Sequence, residues 1–129
     1  DMQTGAVTTI AGSAGNPGSA NGVGGAARFR TPTRLALSPD ESYLLVASSR
    51  PDGFGQADLY VSFRAPDGGW QPLVNLGDTI NTDQTEFCPM VTPDGKYLFF
   101  SRRWGATWEE TTAGDVYWVD VKVLDRFKR

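Results

Sequence analysis

Hydrophobic positions in this chain fall in short blocks rather than at helical spacing. The blocks are rich in β-branched and aromatic residues and are bounded by Gly, Pro, Asp and Asn, the pattern of strands and turns. It predicts strands over residues 6–11, 33–37, 43–48, 58–63, 73–76, 87–92, 97–101 and 116–121. The tail, 121–128, admits two readings. Val123, Leu124 and Phe127 share one helical face, whereas Val119, Val121 and Val123 alternate as in a final strand. Residues 12–28 carry too much Gly, Ser and Asn to pack as a regular element and read as one long loop, a length associated with function or a linker.

Within this pattern lies a repeat. Leu37-Ser38-Pro39-Asp40-Glu41-Ser42-Tyr43-Leu44 matches Val91-Thr92-Pro93-Asp94-Gly95-Lys96-Tyr97-Leu98, and Ala57-Asp58-Leu59-Tyr60-Val61 matches Gly114-Asp115-Val116-Tyr117-Trp118, at offsets of 54 and 57 residues. Each unit reads strand, Pro-Asp turn, strand, variable loop, strand. Pro presets φ for the turn, Asp bonds the backbone two residues on, and Gly permits positive φ. A strand repeat at this period predicts a stacked array. Several strands, such as 43–47, 97–100 and 116–119, are apolar at every position, which predicts that both faces of their sheets are covered. Asp58 and Asp115, at matched positions, are expected to accept backbone N–H bonds from the preceding loop and pin each unit, so that Asp115→Ala lowers stability.

Composition narrows the chemistry. At 129 residues, 40% hydrophobic and 21% charged, the chain suits one globular domain. Twelve basic against fifteen acidic residues, with no basic block, predict no nucleic-acid partner. No apolar run approaches the ~20 residues of a membrane span. The start, Asp1-Met2-Gln3, reads as carrying no secretory signal, with a removed leader left open. There is no histidine, which excludes Ser-His-Asp and Cys-His machinery and His-based zinc sites from this chain alone. The single cysteine, Cys88, lies in the apolar, strand-like run Glu86–Val91 and is expected to be an inert core thiol. Gly22-Val23-Gly24-Gly25 lacks both the lysine and the following helix of a phosphate loop. No EF-hand-like ligand series appears, and Glu109-Glu110 has no partner carboxylate at a spacing that fixes a catalytic pair. The expectation is no cofactor, no metal and no catalytic residue.

Residues 38–127 resemble the WD40-like PD40 repeats of TolB-type β-propellers, on SPDESYLLVASSRPDGFGQADLYVSF, GGWQPLVNLGDTINT, EFCPMVTPDGKYLFFSRR and GDVYWVDVKVLDRF. The stretch 5–37 resembles an NHL repeat, on Gly5–Gly12, Ala27-Arg28-Phe29 and Pro32–Leu37. Both resemblances imply an all-β chain of about two four-stranded antiparallel propeller blades: 1–32 an outer strand and Gly-rich loop, 33–80 one blade, 81–129 a second. The second blade has three evident strands. Propellers close with about four to eight blades, so the resemblance implies that further blades complete the ring. These are either copies of this chain, three or four joined head to tail and each lending residues 6–11 to its neighbour, or the rest of a larger propeller. It also implies a periplasmic or extracellular bacterial setting.

In a propeller, equivalent loops gather at one end, where ligands bind. This makes Arg50, Asp52 and Phe54 in the first unit, and Arg102, Arg103 and Trp104 in the second, the binding candidates. Arg offers a planar fork for carboxylates, and aromatic rings offer stacking faces for sugars or peptides. Ser101–Trp108 also resembles the sialidase Asp-box, but Arg103 stands where the box has Asp. The expected function is a non-catalytic module that assembles and binds a peptide, protein or glycan. The alternative is the propeller part of a glycan- or peptide-processing hydrolase with active residues supplied elsewhere.

Overall fold

The computed structural model describes residues 4–129 apart from Ile10, Ser19, Asn21 and Arg30. The chain is all-β. Strands β1 (Thr31–Leu37), β2 (Tyr43–Ser49), β3 (Asp58–Phe63) and β4 (Val74–Asn75) form a four-stranded antiparallel sheet in that order. Strands β5 (Thr85–Val91), β6 (Tyr97–Trp104) and β7 (Ala113–Asp120) form a three-stranded one. The tail is a 3-10 helix, Val121–Phe127, with Asp120 capping it through Lys122 N. Of the two readings of the tail, the helical one is therefore correct, and the tail does not supply a fourth strand to the second sheet.

The repeat survives as geometry. In the first Pro-Asp turn, Asp40 Oδ1 accepts from Ser38 Oγ at 2.7 Å and Ser42 N at 3.1 Å, and Ser38 Oγ accepts from Tyr43 N at 3.1 Å. In the second, Asp94 Oδ1 accepts from Thr92 Oγ1 at 2.6 Å and Lys96 N at 3.0 Å, and Thr92 Oγ1 accepts from Tyr97 N at 3.1 Å. These bonds hold both carboxyls below their ordinary value of 3.8, the Ser38 and Thr92 hydroxyls contributing most. Of the three positions at which the turns differ, one bears on the backbone. Gly95 has φ 72°, and its counterpart Glu41 takes the same left-handed conformation at φ 58°, where a Cβ is strained.

The two sheets enclose one core. From the first come Tyr43, Leu45 and Ala47 of β2 and Leu59, Val61 and Phe63 of β3; from the second, Leu98 and Phe100; Leu124 of the tail closes it. Alternation sends Leu44, Val46 and Tyr60 to the far face of the first sheet. That face is covered by the Gly-rich segment: Ala27, Phe29 and Gly24 surround a void of about 30 Å³ with Leu44, Val46 and Trp70, room for about one water. The expectation of two covered faces therefore holds for β2 and β3. It fails for β7, where Val116 is 71% and Trp118 63% exposed.

Three further expectations are corrected. Residues 5–9 form no strand and are exposed, with Ile10 outside the described residues. Cys88 is not a core thiol: it is half-buried, with φ 51°, at the register shift between Phe87 and Met90. The matched aspartates also differ. Asp58 pins its loop by accepting from Phe54 N at 2.7 Å, Gly55 N at 3.0 Å and Asn75 Nδ2 at 2.8 Å. Asp115 is exposed on β7, opposite Arg102 in the ladder, and pins no loop among the described residues. Its loop is held from the other side by Arg103, which donates to Gly105 O, Thr107 O and Thr111 Oγ1.

Candidate functional site

The loop after β2 and the loop after β6 do meet, as expected. Gln56 N donates to Gln84 O at 3.0 Å, Gln56 Nε2 to Gly105 O at 3.3 Å, and Gly105 N to Gln84 Oε1 at 3.3 Å. The approach requires Gly55, where an added Cβ would meet the carbonyl oxygens of Gln84 and Thr82. The β2–β3 loop thus rests on the segment that opens β5, and Ala57 forms a parallel bridge with Thr85.

The six candidates do not form one site. Arg50 is buried, with Nε 3.0 Å from Asp52 Oδ1 and its guanidinium over the Tyr60 ring. Phe54 is exposed and donates its N–H to Asp58. Arg102 turns inward: Nε lies 2.7 Å from Glu86 Oε1, Nη2 donates to Ile80 O at 2.8 Å, and the guanidinium stacks on Tyr117. Glu86 is fully buried and also accepts from Thr82 N and Thr82 Oγ1. Trp104 is half-buried beside Tyr117 and Arg102. Arg50 and Arg102 are therefore consumed by internal pairs, and Trp104 packs where it was expected to bind.

Arg103 is the exception. Successive strand residues face opposite ways, so when Arg102 enters the core Arg103 leaves it. It lines a cleft of about 730 Å³ between β1, β5 and the loop after β6. Across the cleft stand Arg34 of β1 and the hydroxyls of Thr31, Thr33 and Ser49. Trp108, 65% exposed, lies over the Arg103 guanidinium at 4.4 Å and edge-on to Phe87 at 5.5 Å. Glu109 is the one carboxylate in the lining. Its carboxyl is held below the ordinary 4.5, first by its own backbone N–H, then by the Thr107 hydroxyl, with the charge of Arg103 adding.

Arg34, Trp108, Gln56 and Glu109 were missed from the sequence. They come from three segments, β1, the loop after β2 and the loop after β6, which the packing of β1 against β5 brings together. The signal that was available is the pair Arg102-Arg103 itself: where a strand is regular, as β6 is, adjacent residues face opposite ways. Compared with protein families, curated proteins and solved structures, the chain matches none of them.

Proposed function

We propose that the chain is a non-catalytic binding module made of two propeller-type blades, and that further copies cover its open sheet to complete a ring. One observation carries this reading. The outer face of the three-stranded sheet presents Val116, Trp118 and Met90, the last 56% exposed, with Tyr97 edge-on to Trp118 at 5.1 Å. It borders β7, whose outer edge pairs with no strand among the described residues. A contiguous apolar face marks an interaction surface, and an open strand edge is a template for another chain. Covering three such side chains contributes about 1.5–3 kcal/mol each. Association costs about 4–15 kcal/mol, so side-chain burial alone only balances it, and the β7 edge must be paired as well. The exposed residues 5–9 are a strand-forming sequence without a ladder and fit that edge.

The non-catalytic half of the reading rests on the cleft. Its lining carries a single carboxylate, Glu109, facing two arginines. This arrangement suits binding an anion better than paired acid–base work. Native mass spectrometry of the whole chain tests the assembly. The expected particle is a multiple of the 14.0 kDa chain, and Trp118→Asp reduces it to single chains; a folded wild-type monomer overturns the proposal.

A further inference from the structure

We propose that the cleft between β1 and β5 binds a carboxylate-bearing sugar, with Arg34 and Arg103 supplying the positive charge and Trp108 with Phe87 the stacking surface. This deepens the binding half of the reading above and is separate from its assembly half.

One buried arginine has no carboxylate in contact among the described residues. Among the described residues, three arginines are largely withdrawn from water. Arg50 faces Asp52 at 3.0 Å and Arg102 faces Glu86 at 2.7 Å. Arg103, only 4% exposed, has no carboxylate within 4.0 Å among the described residues. Its donations go to neutral oxygens, those of Gly105, Thr107, Thr111 and Thr85, and its Nε is buried without a partner. Glu109 acts on it only from beyond contact distance; a buried charge with no carboxylate in contact is costly, and an anion in the adjoining cleft offsets that cost. Arg34, exposed across the cleft and in no ion pair among the described residues, offers the direct planar fork. With Glu109 opposing, the lining is net positive in a chain of net charge −3.

The rest of the wall selects the anion's body. Thr31 and Ser49 line the wall with hydroxyls, beside Thr33, Thr107 and Gln56, whose polar groups also bond within the chain, and Trp108 presents an exposed indole. Hydroxyls facing hydroxyls beside a ring face is the environment of a saccharide. A peptide carboxylate offers the same charge but no row of hydroxyls for these partners. The volume of about 730 Å³ lies in the range of small-ligand sites and suits a disaccharide.

The whole chain is titrated with digalacturonate, its dimethyl ester and triglycine at low ionic strength. Binding is read by tryptophan fluorescence and by the rate at which Cys88, which lines the same cleft, is alkylated. Digalacturonate is expected to bind saturably and to slow the alkylation, with the ester and triglycine each at least about tenfold weaker. Arg34→Gln, an exposed position whose change leaves the fold intact, weakens digalacturonate by about tenfold or more, and Trp108→Ala weakens both sugars. The proposal is overturned if digalacturonate fails to bind, if the ester or triglycine binds as well, or if Arg34→Gln leaves its affinity unchanged. The particle mass of the same samples separates the two ideas: a single chain that binds removes the assembly and leaves the site, and an assembly that does not bind does the reverse.

Discussion

Truncating Asp58 measures what a single buried carboxylate contributes to the first unit. The side chain is 1% exposed and accepts three hydrogen bonds, from Phe54 N, Gly55 N and Asn75 Nδ2. Hydrogen bonds to a charged group contribute about 1.5–3 kcal/mol each. Two corrections lower the sum: Phe54 and Gly55 lie where water can replace the acceptor, and the folded protein no longer bears the desolvation of the carboxylate. The expected loss for Asp58→Ala is about 3 kcal/mol, or roughly 10–15 °C in Tm. Asp115→Ala, at the matched position but exposed and unpinned, is expected to change stability by less than about 0.5 kcal/mol. Urea unfolding of both variants beside the wild type gives the two numbers under one condition. Equal losses, or less than about 1 kcal/mol for Asp58→Ala, would refute the assignment of the pinning role to Asp58 alone.

Three other outcomes follow from the turns and the core. Glu41→Gly relieves the left-handed strain that Gly95 avoids in the second unit; its gain of about 0.5–1 kcal/mol exceeds what is lost with the exposed Glu41–Arg64 pair at 3.3 Å, and a higher urea midpoint checks it. Ser38→Ala removes the bond that most lowers the Asp40 carboxyl, so an NMR titration finds that carboxyl returned toward 3.8; the turn's contribution, present above that value, is lost in the wild type only as pH falls through the depressed one. Tyr43 and Tyr60 are pushed up to about 12 from 10.0 by burial. Stability from their neutral rings is complete below pH 10.0 and is lost as pH rises toward about 12, which a spectrophotometric titration alongside circular dichroism reads as coupled ionisation and unfolding.

Much of the fold follows from residue patterning, and the misses have physical causes. Strand β3 has the expected bounds, 58–63, and the starts of β2 and β6 at Tyr43 and Tyr97 agree, because Pro-Asp turns fix where a strand begins. Strand β6 runs on to Trp104 and β7 begins at Ala113, beyond the apolar blocks. Their extra residues pair as Arg102 with Asp115 and Arg103 with Gly114, and a backbone ladder does not require apolar side chains. Strand β4 is only Val74–Asn75; beyond it Leu76 N and the Asn81 side chain share Leu59, with Asn81 bonded to both Leu59 N and Leu59 O. An unbroken apolar run signals that cover is needed but not what provides it: the Gly-rich segment serves β2 and β3, and nothing among the described residues serves Trp118. Of the candidate site, Arg103 alone was found, since its cleft partners are fixed by the packing of β1 on β5.

The mass of the native particle tests the central claim most directly. The outer face around Val116 and Trp118 is held to be covered by another copy. Native mass spectrometry, followed by sedimentation across a dilution series, should give a closed multiple of 14.0 kDa that Trp118→Asp dissolves into single folded chains. A wild-type chain that stays at 14.0 kDa, folded and soluble at high concentration, would contradict it.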